Sequence, residues 1–202
     1  MMIGFLPVEE LDMKIAISGG IGTGKSEVLK VLKDAGMRVE SADLINKNLL
    51  NNNLFLNKLI LFFPECKNAN GNFDFKKLKE LIFNNAEKRN LLNSIAHPKI
   101  LQYIKNIKTE EIIFIEIPLL VESKSAYLFD KIWAVKSSDQ SRIERITKRD
   151  FVSASEAIKY LAVQEKENEV YNFADEIIVN EGDLLQLHEQ VMNLLKKNNY
   201  IK

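Results

Sequence analysis

The chain has 202 residues, with 28 Lys and Arg against 28 Asp and Glu, a formal net charge of zero and a pI near 6.8. That balance gives no broad basic footprint for DNA or RNA, whereas a site for an acidic small molecule needs only a local cluster of cations. Cys66 is the sole cysteine, which excludes an intrachain disulfide and a cysteine-rich zinc site, and no apolar run reaches the ~18 residues of a membrane span.

The length suits one α/β domain with small insertions. Residues 1–12 carry Pro7 and three acidic residues and read as a short extension, not an export signal. A cytoplasmic protein with no nucleic-acid or membrane partner is the expectation, a monomer as the working choice with an oligomer left open.

The first expected strand covers residues 13–18, and a helical pattern over 26–35 is closed by Gly36. Between them stands Gly19-Gly20-Ile21-Gly22-Thr23-Gly24-Lys25-Ser26, a Walker A string with the strand-before, helix-after context of a phosphate-binding loop. Glycines let such a backbone curl around a phosphate beside a helix N-terminus. Lys25 can set its cation against the β- and γ-phosphates, and the Ser26 hydroxyl can ligate Mg²⁺. The implied ligand is a nucleoside triphosphate.

A short second strand is expected over 37–41, then an α-rich region. Leu49, Leu50, Leu54, Leu56, Leu59, Ile60 and Phe62 supply apolar faces interrupted by the turn signal Asn51-Asn52-Asn53. Residues 64–72 read as a polar loop. Asp74 can cap a helix carrying Leu78, Leu81, Ile82 and Phe83, and a further helical stretch runs to about residue 107 with a break at His97-Pro98. These helices, 51–109, are a candidate acceptor-binding module set between the two parts of a nucleotide-binding core, 13–50 and 110–198.

The period then changes. Residues 112–117 are nearly continuously apolar, as a central parallel strand covered on both faces should be, and Pro118 ends them. A strand at 131–135, a charged helix at about 138–150, another from near Ser153, a strand at 177–179 and a helix at 184–195 follow. The expected fold is therefore α/β, with three layers about a five-stranded parallel sheet of mononucleotide-kinase type.

Asp43 and Glu116 fall at strand C-termini, on the side where the loop opens and where open α/β sheets bind ligands. Asp43 can orient Mg²⁺, its water or an acceptor hydroxyl, or it can cap the next helix. Glu116 is costly within an apolar strand unless it is paired in a salt bridge or linked to a metal. Arg142, Arg145 and Arg149 share a helix face, with Lys148 beside them; converging cations suit a migrating phosphoryl group, and the same run also suits a solvated face. His97 is either a satisfied helix residue or an acceptor-side group. His188 carries no functional signal.

With these residues in place the chain resembles the dephospho-coenzyme A kinase family over residues 13–195. The loop is similar to the family's Gly-Gly-Ile-Gly-Ser/Thr-Gly-Lys-Ser/Thr, and Ser41-Ala42-Asp43 to its Asp-Ala-Asp. Gly71-Asn72-Phe73-Asp74 with Leu78 and Phe83, Arg89 with Leu92 and His97-Pro98, and Pro118-Leu119-Leu120-Val121-Glu122 follow in the family's order. Arg145, Arg149-Asp150, Gln164, Ala174-Asp175 and Asn180 complete the match. Departures are Ser41 for the first Asp of the triplet, Glu116 where Asp is usual, Phe75 where Arg is common, Arg142 where Gln is frequent, and Glu27 for Ser or Thr.

The resemblance implies ATP- and Mg²⁺-dependent phosphorylation of the 3′-hydroxyl of 3′-dephospho-coenzyme A. It implies donor contacts from Gly20, Ile21, Gly22, Thr23, Gly24, Lys25, Ser26, Glu27 and Asn180, and metal contacts from Ser26 and Glu116. Acceptor contacts fall to Asp43, Arg89, His97, Pro118 and Leu119. Catalytic roles fall to Asp43, Lys25, Arg145 and Arg149, the two arginines on a lid over 138–165. A P-loop kinase for another small acceptor, such as a nucleoside monophosphate, and a nucleotide-dependent switch remain as alternatives.

Overall fold

The computed structural model describes residues 12–42, 45, 49–68, 70–108, 111–118 and 120–201, with Glu165 described in its backbone only. They form two compact units: one takes the residues up to Ser41 and those from Lys108 onward, the other runs from Ala42 to Ile107.

The first unit is a parallel sheet. Its strands are β1 (Met13–Ser18), β2 (Arg38–Ser41), β3 (Ile112–Glu116), β4 (Lys131–Lys136) and β5 (Glu176–Val179), in the order β2-β3-β1-β4-β5. β1 pairs with β3 on one side and β4 on the other, so it is central, and its C-terminus at Ser18 launches the glycine-rich loop into α1 (Lys25–Asp34). Alternate residues of the strands, Ile15, Ile17, Phe114, Trp133, Val135 and Ile178, form one core with Val28 and Leu32 of α1 and with Leu187, Val191 and Leu195 of α7 (Leu184–Lys197). Ala16, Ile113, Ile115, Ile132 and Ala134, of the opposite parity, are buried as well. Burial of both parities explains why β3 and β4 lack polar alternation. Each fully buried Leu, Ile or Val contributes ~1.5–3 kcal/mol.

Capping places the ends of the helices. The Asp74 side chain accepts from Lys77 N at 3.0 Å and opens α3 (Phe75–Asn84), while Asn52 does the same for α2 (Asn53–Phe62) through Leu54 N at 2.9 Å. Ser138 and Ser153 cap α5 (Asp139–Asp150) and α6 (Ala154–Ala162). α1 closes at Gly36, whose φ of 84° is the left-handed conformation that glycine adopts without a Cβ clash.

Two expectations need correction. His97-Pro98 is no break: α4 runs unbroken from Ala86 to Asn106 with Pro98 inside it. Proline removes the bond to the carbonyl of Ser94, but both residues are exposed, so water can replace the lost donor. The polar stretch 64–72 is also more ordered than a loop. Pro64–Cys66 form a 3₁₀ turn, Lys67 bridges Phe73, and Cys66 is fully buried beside Phe55, Leu59, Phe63 and Leu78 in the core of the second unit. Burial pushes its thiol pKa up, the behaviour of a structural cysteine.

Candidate active site

The loop between β1 and α1 is held by its carbonyl oxygens. Five consecutive carbonyls accept from side chains: Gly19 at 2.8 Å and Gly20 at 3.0 Å from Lys25 Nζ, Ile21 at 2.9 Å from Arg142 Nε, Gly22 at 3.2 Å from Arg145 Nη1, and Thr23 at 2.8 Å from Asn180 Nδ2. The Thr23 hydroxyl adds a bond to Gly20 O at 2.9 Å. With the carbonyls committed to protein donors, an anion is left to the loop's remaining amides and the N-terminus of α1. Gly22 and Gly24 have φ of 78° and 95°, and a Cβ on Gly24 would collide with the Asn180 amide.

Each of these partners is placed by its element. Asn180 follows β5, and its carbonyl accepts from Ser137 Oγ and Arg145 Nη2, both at 2.8 Å. Arg142 and Arg145 come from α5; Arg142 is only 5% exposed and is also bonded to Asp139 at 3.0 Å. Gln164, just after α6, accepts from Ile21 N at 2.7 Å. Glu181 accepts from Ser138 N, Ser138 Oγ and Ser141 Oγ, which ties the segment after β5 to the start of α5 and holds its carboxyl below the usual range, with the Ser141 hydroxyl as the largest cause.

Glu116, 8% exposed, ends β3, in register with Ile17 of β1 and Ser41 of β2, so its carboxylate belongs to the same sheet edge as the loop. Lys25 is likewise 8% exposed, while Ser26 and Glu27 are exposed at the first turn of α1. A curled backbone, a buried lysine, an exposed first-turn hydroxyl and a nearly buried carboxylate fit the phosphates of a nucleotide and the hard, oxygen-seeking cation that accompanies them.

The other expected residues are more dispersed. Arg149 is 59% exposed and pairs with Asp150 at 2.7 Å, so the three arginines do not converge: two grip the loop and the third faces solvent. In the second unit, Arg89 donates to Ile82 O at 3.1 Å and so joins α4 to α3, and His97 is half-buried in α4. Pro118 lies in the turn after β3; Asp43 and Leu119 lie outside the described residues.

Three participants in the loop's support have no distinct signature in the sequence. Arg142 was legible as a neighbour of Arg145 one turn away, but not as a support for the loop. Gln164 was a matched position without a role. Glu167, fully buried beside Ser18, carried no signal in the sequence.

The dephospho-CoA kinase family model matches residues 13–186. The chain belongs to the dephospho-CoA kinase family. It is 37% identical over 183 residues to the dephospho-CoA kinase of Fusobacterium nucleatum, covering 89% of this chain and 95% of that one. It is 32% identical over 192 residues to the dephospho-CoA kinase of Carboxydothermus hydrogenoformans, covering 91% and 93%. Among solved structures, the Thermus thermophilus protein TT1252 superposes with a TM-score of 0.78 at 25% identity, covering 93% of this chain and 97% of that one. The protein is thus a phosphotransferase of P-loop kinase fold with dephospho-CoA kinase activity. Among the described residues no helix is long and apolar enough to cross a membrane.

Proposed function

We propose that ATP is bound with Mg²⁺ at Gly20, Ile21, Gly22, Thr23, Gly24, Lys25, Ser26 and Glu27, and that the 3′-hydroxyl of 3′-dephospho-coenzyme A attacks its γ-phosphorus in line. The observation that carries this is the loop whose five successive carbonyls are held by side chains, next to a buried lysine. Magnesium, when bound, supplies positive charge at the phosphate oxygens, with Ser26 and Glu116 as the residues that hold it. Lys25 neutralises the β- and γ-phosphates, and Asn180 fixes the loop through the Thr23 carbonyl.

Asp43 orients or deprotonates the acceptor hydroxyl. The unit from Ala42 to Ile107, with Arg89 and His97, together with Pro118 and Leu119, receives the rest of the acceptor; that unit has a cleft of about 390 Å³ lined by Leu49, Phe55, Lys58 and Lys99 among others, apolar with two cations. The 138–165 segment acts as a lid that excludes water, carrying Arg145 and Arg149. Much of the rate comes from positioning and fixed charge, and the protein works as a cytoplasmic monomer.

The test is product analysis with Lys25→Ala as control. Wild-type protein should release ADP only when dephospho-coenzyme A is present and should place phosphate on its 3′-oxygen. Lys25→Ala should lose turnover by a factor of about a hundred or more, since each ~1.4 kcal/mol of lost transition-state contact is tenfold. Equal turnover with a nucleoside monophosphate would move the assignment to another acceptor.

A further inference from the structure

Among the described residues, Glu167 is the one fully buried carboxyl, and the proposed chemistry does not use it. It lies in the 3₁₀ segment Glu165–Asn172 and is 0% exposed. Its Oε2 is 3.2 Å from Ser18 Oγ, at the foot of the loop, and the same hydroxyl is 3.1 Å from the Ile117 carbonyl oxygen. A hydroxyl has one proton, so the carboxyl receives at most one hydrogen bond from it. Oε1 is buried with no donor in reach. Another carboxyl, Glu122 from the turn after β3, is near enough to hydrogen-bond to Glu167. Two carboxyls hydrogen-bond only when one of them holds a proton.

The remaining neighbours confirm how poorly an anion would be served. Among the cations that act on Glu167 is Lys25 of α1; Tyr171, on its own segment, feels Glu167 as well as Arg142 and Asp139 of α5. An isolated carboxylate in such a place is expensive, and the group neutralises instead. Burial first and the Glu122 carboxyl second push the Glu167 pKa up to about 9, against the opposing pull of the Ser18 hydroxyl and Lys25.

We propose that Glu167 stands as a neutral carboxyl sharing its proton with Glu122, and that this neutrality makes it a positioning residue: it sets no negative charge of its own against Lys25 or the phosphates of the donor. An ionised Glu167 would compete for that ammonium and repel the phosphates. The proposal rests on Lys25 as the phosphate-binding cation. It gives Glu167 a function at the loop, and it predicts that nucleotide affinity depends on a proton remote from the reacting atoms.

The test measures ATP binding without turnover, by displacement of a fluorescent ATP analogue from wild-type protein, Glu167→Gln, Glu122→Gln and Lys25→Ala between about pH 7 and about pH 9.5. About half a pH unit above its pKa only a quarter or so of the molecules keep the proton, so wild-type protein should bind ATP roughly fourfold more weakly than Glu167→Gln at about pH 9.5, with the ratio approaching one near pH 7. Glu122→Gln, at an exposed position, should bring the alkaline loss to lower pH. Identical alkaline losses in wild type and Glu167→Gln, or an unmoved loss in Glu122→Gln, would overturn the proposal. ATP bound as tightly by Lys25→Ala as by wild type would instead remove the assignment of Lys25. If Glu167→Gln fails to fold, the ¹³C carboxyl resonance of Glu167 in the wild-type protein decides: a midpoint near 9 supports the shared proton, and one near 4.5 sinks it.

Discussion

At the scale of single residues, two carboxylates have opposite tasks and opposite environments. Asp43 is assigned the acceptor hydroxyl, so its charge is the working part. Asp43→Asn keeps the shape and the capacity to cap a helix while deleting that charge; it should fold, bind ATP and lose transfer by about 100-fold or more, the scale of a positioned general base. A lower melting temperature with unchanged turnover per folded molecule would make it a cap.

Glu167 is instead neutral when folded, and this has a consequence for stability. Its folded pKa of about 9 lies above the unfolded value of 4.5, so its favourable contribution is complete below about pH 4.5 and is lost as the pH rises through about 9. At neutral pH the unfolded chain is already ionised there, which costs the fold on the order of a few kcal/mol. Glu167→Gln should therefore raise the melting temperature at about pH 8 more than at about pH 5, as read by calorimetry. An equal shift at both values would show that Glu167 does not take up a proton on folding.

At the scale of elements, α5 turns an arginine repeat into two different functions. Positions 142 and 145 lie a turn apart and reach successive carbonyls of the loop, at Ile21 and Gly22, while Arg149 reaches Asp150. Arg145→Ala removes bonds to Gly22 O, Ser137 Oγ and Asn180 O. Charge-assisted bonds of this kind contribute about 1.5–3 kcal/mol, so ATP affinity should fall by roughly tenfold or more and turnover with it. Lysine should rescue poorly, because an ammonium cannot span the positions that the guanidinium fork bridges. Arg149→Ala should leave ATP affinity intact and depress single-turnover transfer; a wild-type transfer step would return Arg149 to a solvated ion pair.

At the scale of the molecule, the two units have cores that share none of the described residues, one including Trp133, Phe114 and Ile15 and the other Leu59, Phe63 and Cys66. Leu59 is fully buried in the second, and Leu59→Ala should cost about 2–5 kcal/mol by loss of buried surface and creation of a cavity. Since acceptor binding is assigned to that unit, the variant should raise the KM for dephospho-coenzyme A well above that for ATP. Equal increases would argue against separate donor and acceptor units.

Much of this was legible along the chain because its causes are local. Strand parity, a glycine-rich turn between strand and helix, an Asp or Asn cap and a Pro-terminated strand act over a few residues, so β1, the loop, α1, α3 and β3 could be located within a residue or two and the P-loop kinase fold followed. What lay beyond reach depended on contacts across long sequence separations. Arg142 and Ile21 are 121 residues apart, Asn180 and Thr23 are 157 apart, and Glu167 and Ser18 are 149 apart. An arginine or glutamate in a polar run has the same sequence signature whether it faces water or is buried beneath a phosphate loop; only tertiary packing, by removing solvent from Arg142 and Glu167, turned one into a support and the other into a neutral acid.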